Sequence, residues 1–365
     1  MLVKKLQGHI FMKETIKMID KMFSSSSFLA LRFTVKRNTD FVDKLHYRYP
    51  EMPSEKDRIL VRNAEDIDTA IRTQIDNLKG NSKKIGILLS GGMDSGILAS
   101  YCHGINAYTF RFMGGDYQQE ELQRAEIIAE KNDMHLHYVD INFNTVTDNL
   151  KAVMISKGGP VHSIEPQIYH AAMQAKTDGI EQMIIGDASD YVFGGMDKLL
   201  SKDWSFSDFI KRYIYVDPFE VLNDPISINY VFERYRKGDS IDFVEILGTL
   251  AAQESYGSYD NAFVAAGMEY FDPYEKLKMA EPLDLCRIRN GESKYLIREL
   301  FKIRYPDLPV PEKLPMPRPV DIYFENWKGP VRQEFKKNID ISIYNGNQKW
   351  LIWCLEQFLD MADNI

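Results

Sequence analysis

The sequence predicts an α/β fold, an open parallel sheet with crossover helices followed by a mainly helical region. Three observations predict it. Short apolar runs at 85–89, 107–112, 135–141 and 183–185 alternate with stretches of helical periodicity at 96–103, 120–131 and 168–176. A crossover helix returns the chain to the same end of the sheet, so such alternation places strands side by side in one direction. The segment Ser90-Gly91-Gly92-Met93-Asp94-Ser95 falls where the first of these strands hands over to a helix. Beyond about residue 200 the alternation stops, and helical stretches at 294–304 and 348–361 flank a proline cluster at 306–319.

In chain order, residues 1–80 form a small front segment. It begins amphipathic, passes through the Ser24 to Ser27 run and reaches 28–35, whose alternation predicts a strand. Asn63 with Asp66 three residues on has the form of a capping box, and Ile67, Ile71, Ile75 and Leu78 then recur at helical spacing. A helix is expected there, leading into a core over 81–200. Residues 201–365 are expected to be mainly helical and to complete the active site.

The chain has 365 residues, 44% hydrophobic and 27% charged, within the range of globular proteins. Lys and Arg number 45 against 53 Asp and Glu, a net charge of −8. No global positive field therefore exists to attract a polyphosphate backbone, which disfavours a nucleic-acid partner. Cys102, Cys286 and Cys354 lie far apart, which argues against a structural zinc site and for a reducing compartment. The first 23 residues offer neither a signal-peptide core nor an apolar span of about 20 residues. The expected setting is cytoplasmic, with no membrane contact.

In an open parallel sheet the ligand crevice lies at the carboxyl ends of the strands, where the SGGMDS segment falls. Gly91 and Gly92 let backbone amides approach phosphate oxygens, Ser90 and Ser95 add hydroxyl donors, and a helix start supplies its positive dipole end. An anionic side chain beside a triphosphate calls for a bridging cation, so Asp94 is assigned to Mg²⁺. The alternative is a strand-to-helix turn that uses glycines for geometry and serines for capping.

SGGxDS after a strand resembles the loop of the N-type ATP pyrophosphatases, which share the PP-loop and cut ATP between its α and β phosphates. Gly186-Asp187-Ala188-Ser189-Asp190-Tyr191-Val192-Phe193-Gly194-Gly195 is similar to the GEGSDELFGG segment of asparagine synthetases. Further matches in the right order are Gly267-Met268-Glu269 with Pro273-Tyr274, then Lys294-Tyr295-Leu296, then Lys313 before Trp327. The chain thus resembles the synthetase domain of the asparagine synthetase and β-lactam synthetase group over about residues 80–330. That resemblance implies the adenine nucleotide α-hydrolase-like fold, ATP and Mg²⁺ as cofactors, and adenylation of a carboxylate followed by transfer to ammonia or an amine. It implies that Ser90, Gly91, Gly92 and Ser95 hold the pyrophosphate and that Asp94 and Asp190 carry the metal. Leu89, Phe112, Ile185 and Gly186 would contact the adenine. Lys313 would stabilise charge on the α-phosphate, and Asp187 would orient the amine or take its proton.

Departures from the family pattern stand at Asp187 for Glu, Ala188 for Gly, Tyr191 for the second Glu and Phe271 for Arg. Losing charges at Tyr191 and Phe271 bears on the identity of the carboxylate. Full asparagine synthetases begin with a glutaminase whose cysteine follows the initiator methionine. Position 2 here is Leu2 and no cysteine precedes Cys102, so the nitrogen is expected from free ammonia, a substrate amine or a separate ammonia-supplying subunit. Two other readings stand beside this one: a PP-loop enzyme acting on a nucleobase or tRNA, and a non-catalytic nucleotide-binding subunit.

Overall fold

A computed structural model describes residues 18–113, 118–312 and 319–365. Its central sheet comprises β1 (Ile85–Leu88), β2 (Asn106–Phe112), β3 (His135–Ile141), β4 (Gln182–Ile184) and β5 (Glu269–Phe271) in the order β5-β4-β1-β2-β3, with every pair parallel. From β1 the chain steps outward through β2 to β3, with Ile87 opposite Ala107 and Phe112 opposite Ile141. It then returns to place β4 on the other side of β1, Ile87 opposite Ile184. That reversal opens a crevice at the carboxyl ends of β1 and β4, because the connections leaving these two neighbours diverge. The sequence-predicted fold class is therefore the observed one.

Helices cover both faces. They are α1 (Lys21–Leu31), α2 (Ala64–Lys79), α3 (Met93–Ala99), α4 (Gln119–Lys131), α5 (Phe143–Lys157), α6 (Glu165–Thr177), α7 (Ala252–Ala266), α8 (Tyr295–Arg304) and α9 (Gly346–Asp363). Neighbouring strand residues point to opposite faces and join different cores. Ala107 and Ile184 pack with Ile71, Ile97, Ile128 and Leu300 of α2, α3, α4 and α8. Tyr108 and Met183 pack with Val153, Ile168, Phe263 and Leu355 of α5, α6, α7 and α9. Burial on both sides explains why the strands read as continuous apolar runs.

Three elements depart from sequence expectation. No strand forms over 28–35: residues 28–31 are the end of α1, which Asp20 caps by accepting from the Phe23 amide, and the helix stops at Arg32 with φ +68°, leaving 32–35 outside any helix or strand. Phe23 to Leu31 are buried on every side, so the helix lacks the polar stripe that would have betrayed its period. Helix α5, started by an Asn142–Thr145 capping box, was not foreseen. Nor was β5, whose three residues are too few to carry a period; it follows α7 after Gly267 turns the chain at φ +60°. Asn63 does cap α2, accepting from the Asp66 amide at 2.8 Å.

Candidate active site

Helix α3 begins at Met93, three residues earlier than its periodicity suggests, so Asp94 and Ser95 lie in its first turn and Gly92 is the residue before it. The loop is tied internally. Ser95 Oγ accepts from the Ser90 amide at 3.0 Å and lies 3.0 Å from Ser90 Oγ, while the Gly92 amide donates to the Ser90 carbonyl at 2.7 Å. Gly91 is required by close approach: a Cβ there would overlap the Glu121 carbonyl oxygen and sit 2.8 Å from Arg124 Cβ. Helix α4 thus packs directly on the back of the loop.

Asp94 and Asp190 converge. Asp190 lies in the short helix Ser189–Val192 beyond β4, and Asp94 beyond β1. Both carboxylates bond the ammonium of Lys294, Asp94 at 2.6 Å. Ser189 Oγ donates to the other Asp94 oxygen at 2.6 Å, and Tyr274 Oη donates to the Asp94 carbonyl at 3.0 Å. Lys294 stands at the start of α8 in a left-handed conformation, φ +54°, with its side chain 2% exposed. Burial pulls its ammonium toward neutrality, but Asp94 and Asp190 outweigh that and leave it above the usual lysine range. Gly195 must lack a side chain, because a Cβ would overlap both Asp190 and Lys294. The glycine pair ending the second motif therefore has a packing reason, with Gly194 at φ +77° supplying the turn.

Asp187 lies one turn before Asp190. Ser255 of α7 donates its hydroxyl to the Asp187 carboxylate, at 2.7 and 2.8 Å from the two oxygens. A π-helical segment, Leu247–Ala251, runs straight into α7 four residues before that serine. Burial, then the neighbouring Asp272, pushes the Asp187 carboxyl well above the usual range. Burial likewise raises Asp272 to about 8, against the amides of Ala188 and Tyr274 that it accepts. Glu275 is also pushed up to about 8 by burial.

The loop, Asp187, Asp190 and Lys294 border a cavity of about 450 Å³. Leu89, Ser90, Gly92, Asp94, Ser95, Phe112, Ile185, Gly186, Asp187 and Asp190 all line it, whereas Gly91 faces α4 instead. The Phe112 amide is taken by Gln118 Oε1 at 2.9 Å, so it is not a free donor for a ligand. Neither Tyr191 nor Phe271 lines the cavity; both pack into the core on the α2 side. Lys313 lies outside the described residues. The described wall carries five carboxylates, Asp94, Glu121, Asp187, Asp190 and Glu312, against two cations, Arg124 and Lys294. A polyphosphate entering such a wall needs added positive charge. Two convergent carboxylates with phosphate and water oxygens are a donor set that suits Mg²⁺, which seldom relies on an all-protein cage. Among the described residues no cluster of three or more His, Cys, Asp or Glu that could hold a metal is found.

Sequence reasoning quoted Lys294 as part of a family match at the start of a helix but gave it no role in the site. It is 200 positions from Asp94, so no local pattern joins them. Ser255 and Arg124 were missed for the same reason; Ser189 and Tyr274 stand in the quoted motifs without a role, and Glu121, with Glu120, reads from sequence as an acid capping a helix start, whereas it lines the cavity.

The sequence model of the asparagine synthase family matches residues 67–255, which takes in β1 to β4, the loop, Asp187, Asp190 and Ser255. The chain belongs to the asparagine synthase family. This is a family of ATP-dependent amide-forming synthetases. Among solved structures the chain is similar to an NMN synthetase from Francisella tularensis, at 14% identity over 37% of this chain and 59% of that one, TM-score 0.28. It is similar to an NH3-dependent NAD synthetase from Campylobacter jejuni subsp. jejuni, at 13% identity over 37% and 61%, TM-score 0.26. It is also similar to the U34-tRNA thiolase NcsA from Methanococcus maripaludis, at 11% identity over 68% and 82%, TM-score 0.30. The chain thus spans about three fifths of the two synthetases. No curated protein matches it. Among the described residues no helix is long and apolar enough to cross a membrane.

Proposed function

We propose that this member of the asparagine synthase family adenylates a carboxylate with ATP, releases pyrophosphate and passes the acyl group to ammonia or an amine. The observation that carries this reading is the convergence of Asp94 and Asp190 on one cation, beside the serine-glycine loop, at the crevice between β1 and β4. Ser90, Gly92 and Ser95 would bind the β and γ phosphates, with Gly91, which faces α4, allowing the close packing that holds the loop. Leu89, Phe112, Ile185 and Gly186 would form the adenine side of the cavity. Asp94 and Asp190 would hold Mg²⁺, which when bound neutralises the leaving phosphates.

In the first half-reaction a carboxylate oxygen of the substrate attacks the α-phosphorus, and the bond to the β-phosphate oxygen breaks with its electron pair leaving on pyrophosphate. In the second, the nitrogen lone pair attacks the acyl carbon and AMP departs. No side-chain nucleophile is needed; positioning and charge stabilisation carry the rate. Asp187, held by Ser255, orients the amine while protonated and accepts its proton once ionised. Lys313 is assigned to the charge on the α-phosphate on the family match alone. The nitrogen comes from free ammonia, a substrate amine or a separate subunit, and the setting is cytoplasmic. A panel of amino acids and sugar acids with Mg²⁺-ATP and ammonia tests the reading. At least one should release pyrophosphate, and Asp94→Asn should abolish that release. ATP binding with no release across the panel would mean a nucleotide-binding subunit without turnover.

A further inference from the structure

Arg124 has no assigned role, yet its position is unusual. Its Cβ would lie 2.8 Å from a Cβ on Gly91, so α4 brings it against the back of the phosphate loop, and it lines the same cavity as Ser90, Gly92 and Ser95. Its side chain is only 18% exposed. One guanidinium nitrogen, Nη1, bonds Glu120 at 3.0 Å, while Nε is buried with no hydrogen-bond partner. A buried orphan donor on a guanidinium costs free energy unless a ligand meets it. One turn away, the Glu121 carboxylate also lines the cavity with a buried Oε2 lacking a partner. The other cation of the described wall, Lys294, is already engaged by two carboxylates. Arg124 is therefore the one wall cation among the described residues whose donors are not saturated by acids. Guanidinium offers a planar fork that fits two phosphate oxygens, which a point charge cannot copy.

We propose that Arg124 is a phosphate-binding residue that receives the terminal phosphates of ATP and retains the pyrophosphate after cleavage. Glu120, on the solvent side, holds the guanidinium against the loop. This rests on the reading of the cavity as an ATP pyrophosphatase site. The ligand class is a nucleoside triphosphate, with Mg²⁺-pyrophosphate as the fragment that reports on Arg124 alone.

Calorimetric titration of the full chain with Mg²⁺-pyrophosphate, Mg²⁺-ATP and AMP tests the assignment without requiring turnover. Arg124→Gln should weaken pyrophosphate and ATP by about 10- to 100-fold, the range for a lost hydrogen bond to a charged group, and leave AMP within about twofold. Arg124→Lys keeps the charge and loses the fork, so its loss should be smaller, about three- to tenfold. If Arg124→Gln does not fold, Arg124→Lys and Glu120→Gln carry the test, both weakening pyrophosphate but not AMP. Pyrophosphate affinity equal to wild type in a folded variant overturns the assignment to Arg124 alone. Equal losses for AMP and pyrophosphate overturn it too, since they would show collapse of the whole cavity. Wild-type protein that binds neither ATP nor pyrophosphate overturns the underlying reading and the inference with it.

Discussion

Replacing Lys294 by Met removes the only described cation that joins Asp94 to Asp190, and the local geometry sets the size of the effect. The side chain is 2% exposed, and its ammonium meets two carboxylates that are 26% and 39% exposed. Breaking a fully buried pair costs about 3–5 kcal/mol, and the partial exposure of both acids places this case near the bottom, at about 3 kcal/mol. Spread over 365 residues, at about 2.1 cal/mol/K per residue, that is a fall of about 4 °C in Tm. Two adjacent carboxylates without their ammonium then attract a divalent cation more strongly than in the wild type. Mg²⁺ alone, at about ten times its Kd, should return about 1.4 kcal/mol to Lys294→Met. The assay is thermal unfolding of both proteins with and without millimolar Mg²⁺ and no nucleotide. Lys294→Met should melt lower and regain part of the loss with Mg²⁺, while the wild type should barely respond. A variant as stable as wild type, or a Mg²⁺ shift of the same size in both, would refute the claim that the two aspartates form one cation site.

The remaining perturbations probe the loop, the acids and the second motif. Gly91→Ala forces a Cβ into the Glu121 carbonyl, so it should destabilise by about 1–3 kcal/mol in urea unfolding and weaken Mg²⁺-ATP binding, whereas Gly104→Ala, with open space around it but φ +73°, should spare binding. Glu275 has its folded pKa raised to about 8, so its neutral form stabilises the fold, fully below about pH 4 and progressively less as pH rises to 8. Glu275→Gln should accordingly match wild type near pH 4 and gain on it by at most about 1.4 kcal/mol per pH unit up to pH 8, read from urea midpoints across that range. Ser255→Ala removes the hydroxyl that holds Asp187; turnover with the amine should fall about tenfold while pyrophosphate exchange with the carboxylate stays near wild type, separating the two half-reactions.

What the sequence made legible was what the chain writes locally. A strand, a Gly-Gly turn and a helix start are contiguous, so the Ser90–Ser95 loop and its place at a strand end could be read directly. Asp190 was singled out through the likeness of its contiguous ten-residue motif to a family segment; that motif follows β4 and holds one short helix. That the two aspartates meet depends on β4 pairing with β1 rather than with β3, and this crossover is a property of the sheet order, not of any window of residues. The role of Lys294 escaped for a related reason: its partners lie 200 and 104 positions away. The segment 28–35 misled because burial on all sides removes the contrast that periodicity relies on. At Tyr191 and Phe271 the lost charges face the core, so any effect on substrate must pass through the groups they pack against rather than by contact in the cavity.

The central claim is that this site cuts ATP between the α and β phosphates to activate a carboxylate. Phosphorus NMR of the products, with Mg²⁺-ATP, ammonia and a carboxylate found active in the panel, tests it most directly. The account predicts AMP and pyrophosphate in equal amounts, matched one to one by amide, and none of these from Asp94→Asn. ADP and orthophosphate from the same mixture would contradict it.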